Sequence, residues 1–600
     1  MNSTELSKLP SNRVKVSIYP GLQKEEQKAV KKRSPHVWAA LKNLNVKADE
    51  APVIAVLGSG GGLRAHIACL GVLSELKKLG LLDAVTYLSG LSGSTWALSS
   101  FYTEDGNIKG IEDELKHRFD QKEWDLDSSI KKTTEAAKLE NYSLTDFWAY
   151  IVVSKQTREL QNSCLSNMVK HVEEGAFPYP IFAAIDGDLY YSKKKEEVQN
   201  AWFEFTPYHA GYPTLGAYVP VTHFGSKFQE GKLVKHKPEP ERDLSFLKGL
   251  WGSALASLEE IRHYILNQLS MLKEKLKTKI EQLKGTVLEK LLHLVITYVE
   301  CPNAPSILPK LQDLYQNLEA GTEEEVDETV HRQMTEMMQN WNEVSPDELG
   351  RFLEQWIQCL MKQEEDSGQR HSSSKFFLKN EMSEILDICN VLIKTTLCSL
   401  KWEWGTTHNF LYKYGEIKEN EMRNRELIHL MDAGFAINTP YPLVLLPARN
   451  VQLILSFDFS SGDPFETIRS TAKYCCDHKI SFPPVDETTL KEWSSAPSSC
   501  YILKGNSGPV VMHFPLFNRD NCGDDIQKWH EIYKTFKLAD SYSLDLVIRL
   551  LELSKENVSK NTEKILGEIK KMARCSFLIT SHLDEFIAHS DYLIVIKLLL

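Results

Sequence analysis

The 600-residue sequence has no long apolar run. No stretch reaches the roughly 18 uninterrupted apolar residues that a membrane-spanning helix needs, and the longest candidate, Tyr592–Leu600, includes Lys597. Residues 1–13 lack the apolar core of a secretory signal, and Asn2 stands where myristoylation requires glycine. We therefore expect no spanning helix, no cleaved signal and no N-terminal acyl anchor.

Patterned cysteines and an excess of positive charge are also absent. The 11 cysteines are scattered from Cys69 to Cys575 without a C-x-x-C spacing, which predicts neither a zinc site nor a disulfide framework. The 70 Lys+Arg against 81 Asp+Glu give a net charge of −11, too acidic for a protein that coats nucleic acid or an anionic membrane. We expect reduced thiols in the cytosol, no nucleic-acid partner, and membrane contact only through a local patch.

The sequence does contain the alternation of strands and helices that is typical of an α/β fold. Val53–Leu57 is a short apolar run ended by glycines, which predicts a buried parallel strand. A helix is predicted over about Leu63–Leu79, followed by a second strand over Val85–Leu88. Strand signals return at Leu427–Met431 and at Val451–Leu455.

Residues 255–400 carry helical signals instead, and we interpret them as an insertion. Apolar residues recur at steps of three and four from Leu258 to Val287, forming one stripe about eight turns long. Such a stripe is typical of a packed helix, with a lid or membrane-facing helix as the alternative. The acidic run Glu323–Glu325 and the polar stretch Gln363–Lys375 predict solvated loops.

A glycine-rich loop, Gly58-Ser59-Gly60-Gly61-Gly62-Leu63-Arg64, follows the first predicted strand. Its N–H groups can converge on an anion where the next helix begins. A P-loop would end in Lys-Ser/Thr, and a dinucleotide fingerprint would have glycine in place of Leu63, so both are disfavoured. An oxyanion hole for acyl transfer also fits, and the glycines alone do not decide between these readings.

A second turn, Gly90-Leu91-Ser92-Gly93-Ser94, stands between the next strand and the next helix. A serine in such a turn is a nucleophile elbow, with its hydroxyl exposed where the helix begins. The pattern departs from G-x-S-x-G at Ser94, and by itself it would also suit a helix N-cap. Because an anion-binding loop ends the preceding strand, the two turns together predict a serine hydrolase with Ser92 as nucleophile.

The serine needs a base, and none of the 18 histidines stands in a recognisable catalytic setting. Asp432, in Leu430-Met431-Asp432-Ala433-Gly434, ends an apolar strand, where parallel sheets place their sites. A turn-forming aspartate is the alternative. A partly desolvated carboxylate can act as base directly, so we predict a Ser–Asp dyad.

These three motifs, with the continuation Thr95-Trp96, resemble those of the cytosolic (group IV) phospholipase A2 enzymes, distant relatives of the patatin lipases. The resemblance covers roughly residues 15–250 and 400–550 and is greatest to gamma-type members. Further similar blocks are Phe203–Tyr208, Phe224–Phe228, Leu250–Ala254, Trp402–Thr407 and Ser456–Ser460.

The resemblance implies a patatin-like three-layer α/β/α catalytic domain over residues 51–555, with the insertion 255–400 as a lid or cap. An N-terminal basic helical extension, 1–50, and a C-terminal tail, 556–600, would flank it. Only 57 residues precede Gly58, too few for the calcium-dependent membrane-binding domain of many family members. We therefore expect no such domain, no calcium dependence, no metal and no cofactor.

The resemblance also implies a role for each site residue. Ser92 would be the nucleophile and Asp432 its base. Gly61 and Gly62 would donate the oxyanion N–H groups. Arg64 and Arg449 would pair with substrate phosphate or developing charge. A guanidinium suits phosphate through forked hydrogen bonds, although without the resemblance a surface or structural ion pair would be the more ordinary role of either arginine.

The implied activity is calcium-independent hydrolysis of the sn-2 ester of glycerophospholipids through an acyl-serine, with lysophospholipase activity and acyl transfer to a lysophospholipid as further outcomes. The alternatives are a serine lipase or esterase on neutral lipid esters and a non-catalytic lipid-binding scaffold. The expected partners are a phospholipid membrane surface and glycerophospholipid or lysophospholipid substrates, with no protein partner.

The expected location is the cytoplasm, with peripheral association to intracellular membranes such as the endoplasmic reticulum or nuclear envelope. The prenylation box of gamma-type relatives is missing, because the chain ends Lys597-Leu598-Leu599-Leu600 and its last cysteine is Cys575. We expect the apolar tail, or the helix with Lys31-Lys32-Arg33, to contact the membrane instead.

Overall fold

The computed structural model describes residues 14–572, apart from residues 49, 121–122, 193, 195–197, 235–238, 254–257, 281–282, 284–285, 320–327, 368–372, 402 and 535–541. The acidic run Glu323–Glu325, the Trp402 of one family block and the apolar tail Tyr592–Leu600 therefore lie outside the described residues. The strands β1 to β14 are Ser17–Ile18, Ile54–Gly58, Tyr87–Gly90, Tyr179–Asp186, Trp202–Phe205, His209–Tyr212, Ala217–Pro220, Phe228–Gln229, Lys232–Leu233, Thr406–His408, Leu427–Asp432, Leu453–Asp458, Tyr501–Leu503 and Val510–Pro515.

Helices of eight residues or more are numbered α1 to α17. They are Lys24–Asn43, Gly62–Lys78, Gly93–Thr103, Ile108–Asp120, Leu126–Ala137, Leu244–Trp251, Leu258–Ile280, Val287–Glu300, Ile307–Glu319, Glu328–Gln339, Pro346–Ser367, Ser373–Lys401, Glu466–His478, Glu487–Ser495, Ile526–Lys534, Leu544–Ser559 and 562–572.

The chain folds into two compact units. An α/β unit takes in Met1–Glu123, Gln156–Leu255 and His408–Leu600, and a helical unit takes in Trp124–Lys155 and Ala256–Thr407. The helical unit contains α5 and α7 to α12, and its α8 buries one apolar face, including Leu292 and Val295.

The α/β unit is built on a mixed sheet with the strand order β1-β7-β6-β5-β4-β3-β2-β12-β14-β13. The central strands β4, β3, β2, β12 and β14 run parallel to one another. All five residues of β2 are buried. Because successive side chains of a strand point to opposite faces, both faces of the sheet are covered here, as the predicted α/β class requires.

Several predicted segments have different bounds in the structure; the second strand, for example, is Tyr87–Gly90 and not Val85–Leu88. The strand expected at Val451–Leu455 is β12, Leu453–Asp458, because its ladder with β2 begins at Leu453 and runs on through the polar Ser456. The polar stretch Gln363–Lys375 is not simply a loop, since α11 extends to Ser367 and α12 begins at Ser373. Glu, Gln and Lys are good helix formers, so their polarity did not indicate a break.

The long apolar stripe from Leu258 to Val287 does not form a single helix. The helix α7 ends at Ile280 and α8 begins at Val287. The Thr286 hydroxyl accepts the Glu289 N–H at 3.1 Å and caps α8. The spacing of the stripe continues across this break, which is why the pattern alone predicted an uninterrupted helix.

Candidate active site

Ser92 lies in the turn between β3, which ends at Gly90, and α3, which begins at Gly93. Its backbone has φ 49° and ψ −132°, a strained combination for a residue with a side chain. The Ser92 carbonyl accepts the N–H of Thr95 at 3.0 Å, which fixes the first turn of α3. A sharp, strained strand-to-helix turn is the geometry of a nucleophile elbow, as the sequence predicted for this position.

The elbow packs backbone to backbone against the glycine loop. A side chain at Gly93 would overlap the carbonyl of Gly62, and one at Gly58 would lie 2.6 Å from the Ser94 hydroxyl. The helices α2 and α3 therefore begin side by side. Glycine is required at 93 because no Cβ fits in this close approach.

Gly61 and Gly62 stand at the start of α2 with φ +145° and +57°, values that favour glycine. The first N–H groups of a helix have no carbonyl partner within that helix. Across the described part of the chain, no hydrogen bond uses the N–H of Gly61 or Gly62. Both groups thus remain available to an anion beside Ser92, as expected for oxyanion donors.

Sheet register brings Asp432 to the elbow. Gly90, the last residue of β3, pairs with Phe182 of β4, and Asp432, the last residue of β11, pairs with Ala184 of β4. The other edge of β4 is occupied by β5 at both positions. The strands β3 and β11 therefore lie end to end on one edge of β4, and their ends are two β4 residues apart, roughly 7 Å. Ser92 follows β3 directly into this gap.

The Asp432 carboxyl is held by a main-chain N–H group of the turn that follows β11. Its Oδ1 accepts the Gly434 N–H at 2.8 Å, and the Asp432 N–H donates to the Ser253 hydroxyl at 3.1 Å. The residue is fully buried. These contacts fix the orientation of a desolvated carboxylate at the end of β11, which is what a general base requires.

Asn438 completes the site and was missed in the sequence. Its carbonyl accepts the Gly60 N–H at 3.0 Å, and its Nδ2 donates to the Ser460 hydroxyl at 2.8 Å. A Cβ placed on Gly60 would overlap Asn438 Oδ1 and lie 3.1 Å from Ser92 Cβ, so the amide stands beside Ser92. A lone asparagine six residues after Asp432 gives no periodic or motif signal.

The side chain of Arg64 is buried next to the glycine loop and is held by main-chain carbonyls. Its Nε donates to the Phe459 carbonyl at 2.7 Å and its Nη1 to the Tyr533 carbonyl at 3.0 Å. Its Nη2 lies 2.8 Å from the position that a Cβ on Gly61 would occupy. Burial lowers the pKa of Arg64 from its ordinary value, and Asp458 is among the groups that oppose this shift. The guanidinium thus brings positive charge to the glycine loop while two of its nitrogens bind main-chain carbonyls.

Asp458, the last residue of β12, lies close enough to Arg64 to interact with it electrostatically. Its Oδ1 accepts the Ser460 N–H at 2.7 Å, while its buried Oδ2 has no hydrogen-bond partner among the described residues. Burial raises the pKa of Asp458 to about 6, against the opposing effects of the Ser460 hydrogen bonds and Arg64.

The raised pKa of Asp458 predicts a pH-dependent stability. The folded protein holds this proton more tightly than the unfolded chain, so the stabilisation is complete below about pH 4 and is lost as pH rises through 6. Between pH 4 and 7 the wild type should lose about 2 kcal/mol relative to Asp458→Asn. Urea unfolding of both proteins across this range checks the difference, and parallel pH profiles would contradict it.

Arg449 forms a buried ion-pair network away from these residues. Its Nε and Nη2 donate to Glu26 at 2.8 and 3.0 Å, and its Nη1 and Nη2 donate to Glu204 at 2.9 and 2.8 Å. Nη1 also donates to the Leu443 carbonyl. Burial alone would lower the pKa of Arg449, but the two carboxylates raise it. This geometry gives Arg449 a structural role and does not support the expectation that it contacts substrate phosphate.

Removing the Arg449 charge should destabilise the fold more than it affects catalysis. Arg449→Met leaves Glu26 and Glu204 buried without their cation, which should lower the free energy of unfolding by about 4 kcal/mol. Combining it with Glu26→Gln and Glu204→Gln should recover most of that loss. Denaturant titration measures the effect. A variant with unchanged stability and lost activity would instead favour the phosphate role.

The basic helix α1 is less basic at its surface than its sequence indicates. Arg33 is 2% exposed and donates to five main-chain carbonyls, those of Leu82, Asp83, Val85, Gly175 and Ala176. Lys32 pairs with Glu174. Arg33 belongs to the Lys31-Lys32-Arg33 cluster that was expected to contact a membrane. Its side chain is instead buried inside the fold, because main-chain carbonyls distant in the sequence accept its hydrogen bonds.

Among the described residues, no helix has both the length and the apolar character to cross a bilayer. No group of three or more His, Cys, Asp or Glu side chains in the described ranges could hold a metal ion.

Comparison with known proteins assigns this architecture to a family. A family model described as the lysophospholipase catalytic domain matches residues 54–291. The chain is 58% identical to cytosolic phospholipase A2 gamma of Mus musculus over 92% of each protein, and 56% identical to that of Homo sapiens over 93% of this chain and 96% of the relative.

Solved structures agree on the fold. Human GIVD cytosolic phospholipase A2 superposes with a TM-score of 0.61 at 22% identity, covering 94% of this chain and 68% of that one. The same protein in complex with methyl gamma-linolenyl fluorophosphonate gives a TM-score of 0.58 at 21% identity, covering 94% of this chain and 65% of that one.

Proposed function

The chain belongs to the cytosolic phospholipase A2 family and is a phospholipase, and from this premise we propose that it hydrolyses the sn-2 acyl ester of glycerophospholipids through an acyl-Ser92 intermediate. Asp432 is the base of a Ser–Asp dyad. The single observation that carries this proposal is the strand register along β4. Both β3 and β11 pair with the same edge of β4, and their ends face each other across a short gap beside the glycine loop.

The proposed reaction has two steps. Asp432 takes the proton of Ser92 as Oγ attacks the sn-2 carbonyl, and the N–H groups of Gly61 and Gly62 stabilise the resulting oxyanion. Collapse of this intermediate breaks the ester bond, and the proton held by Asp432 passes to the departing lysophospholipid oxygen. Water then attacks the acyl-serine and gives its proton to Asp432, which passes that proton to Ser92 Oγ as the bond to the acyl group breaks and the fatty acid is released.

We propose that neither step requires calcium, since nucleophile, base and oxyanion donors all come from the chain. Arg64 supports the oxyanion loop with its positive charge. The acyl-serine also explains the further activities: a lysophospholipid can supply its own ester, as in a lysophospholipase. Its free hydroxyl can replace water, which gives transacylation.

A fluorophosphonate probe tests the nucleophile and calcium independence together. Such probes phosphonylate an activated serine hydroxyl, and a relative has been solved in complex with one. With a calcium chelator present, the wild type should be labelled on Ser92 and should release fatty acid from sn-2-labelled phospholipid. Unlabelled protein would favour a lipid-binding scaffold, and activity restored only by calcium would contradict calcium independence.

The location follows from the substrate. We propose that the enzyme works in the cytoplasm and associates peripherally with intracellular membranes such as the endoplasmic reticulum or nuclear envelope, because its substrates are found there. Sedimentation with vesicles of zwitterionic phospholipid should bring the Ser92→Ala protein into the pellet reversibly. Retention in the supernatant at every lipid concentration would contradict this.

A further inference from the structure

A cavity lies beyond the carboxyl ends of the parallel strands, at the same end of these strands as Ser92. It has a volume of about 560 Å³, in the range of small-molecule sites, and is lined by residues 461–464 after β12 and by residues after β14, including Arg519 and Asp524. The strands β12 and β14 are parallel neighbours. Open α/β sheets bind ligands outside the carboxyl ends of such strands, and this cavity occupies that position.

The cavity is close enough to the turn that carries Ser92 for one phospholipid molecule to occupy both. The strand order β3-β2-β12-β14 places the gap between β12 and β14 roughly 12 Å from β3, at about 4.8 Å per strand. Asn438 spans much of this distance, because it binds Gly60 of the glycine loop and the hydroxyl of Ser460. The next residue, Ser461, lines the cavity.

The cavity presents one unpaired cation and one unpaired anion. The side chains of Arg519 and Asp524 form no ion pair or hydrogen bond with any described residue. Asp463, by contrast, is paired with Arg469 and accepts the Ser494 hydroxyl at 2.8 Å. A guanidinium suits a phosphodiester, and a carboxylate suits an ammonium group.

We propose that this cavity binds the substrate head group and selects zwitterionic head groups, with Arg519 on the phosphate and Asp524 on the amine. This assignment rests on the proposed hydrolysis at Ser92. It also gives the phosphate a cation without a partner among the described residues, whereas Arg449 is bound by two carboxylates and two of the three nitrogens of Arg64 donate to main-chain carbonyls.

Arg519→Gln tests the phosphate contact. Against monomeric lysophosphatidylcholine, kcat/KM should fall about tenfold, the loss of about 1.4 kcal/mol of binding. Against monoacylglycerol with the same acyl chain, which lacks phosphate, the rate should not change. Lys528→Gln on α15 is the matched control, since it removes one exposed positive charge outside the cavity lining. Equal losses on both substrates, or equal effects of both variants, would overturn the assignment.

Asp524→Asn tests the amine contact. The ratio of kcat/KM for lysophosphatidylcholine to that for lysophosphatidate should fall about threefold, because the carboxylate attracts the amine and repels a second anionic charge. An unchanged ratio would contradict selection by Asp524.

A binding measurement separates this proposal from the catalytic one. Glycerophosphocholine titrated calorimetrically into Ser92→Ala protein should bind, and the double variant Ser92→Ala/Arg519→Gln should bind about tenfold more weakly. This readout needs no turnover, so it stands even if Ser92 is not the nucleophile. Equal binding by both proteins would overturn the head-group site while leaving hydrolysis at Ser92 intact.

Discussion

Ser92→Ala should lower kcat for phospholipid hydrolysis by about 10⁴-fold or more, because the step that forms the acyl-enzyme has no other nucleophile. The hydroxyl is the group removed, and the turn it occupies is held by main-chain contacts, including the Ser92 carbonyl with Thr95. Initial rates of fatty-acid release from sn-2-labelled phospholipid measure the loss. Near-full activity of this variant would exclude Ser92 as nucleophile.

A second substitution at the same position separates catalysis from stability. Ser92→Gly is equally inactive, but it relieves a backbone strain at φ 49° and ψ −132° that costs a residue with a Cβ about 1 kcal/mol or more. Ser92→Gly should therefore unfold at a higher temperature than Ser92→Ala. A lower unfolding temperature for the glycine variant would contradict the strained elbow.

Asp432→Asn should lower kcat about 10³-fold, the cost of losing a general base. The amide keeps the shape of the carboxyl, and its oxygen can still accept the Gly434 N–H that fixes the side chain. The fold should thus be retained. Stopped-flow measurement of acyl-enzyme formation, with circular dichroism of the same samples, tests both parts.

The pH profile distinguishes a base from a structural residue at position 432. The wild-type rate should rise with pH through the titration of an essential carboxylate, and the residual rate of Asp432→Asn should not show that titration. Asp188→Asn is a matched control, because Asp188 is also an aspartate next to β11 but pairs with Arg425 and His429 near the surface. If Asp188→Asn and Asp432→Asn lost activity equally, the assignment of the base would be wrong.

The sheet and the strand-to-helix turn at Ser92 were predictable because local patterns encode them. Short apolar runs gave the approximate places of β2 and β11, and the glycine at position 93 is required by a close backbone approach to Gly62. The similarity of the motifs to one family could also be recognised in the sequence, and the relatives of this chain confirm it.

The environments of the charged residues were not predictable from local sequence. Arg449 meets carboxylates at Glu26 and Glu204, which are hundreds of positions away, and Arg33 meets carbonyls that lie up to 143 positions away. No local pattern marks such partners. The same holds for Asn438, whose position beside Ser92 arises only from the folded turn after β11.

The most direct test of the account is mass spectrometry of the protein quenched in acid during turnover. The account predicts that the peptide containing Ser92 carries an adduct with the mass of the sn-2 acyl chain, and that the adduct is absent in Ser92→Ala. An acyl adduct on another residue, or none while fatty acid is released at the full rate, would contradict an acyl-Ser92 intermediate.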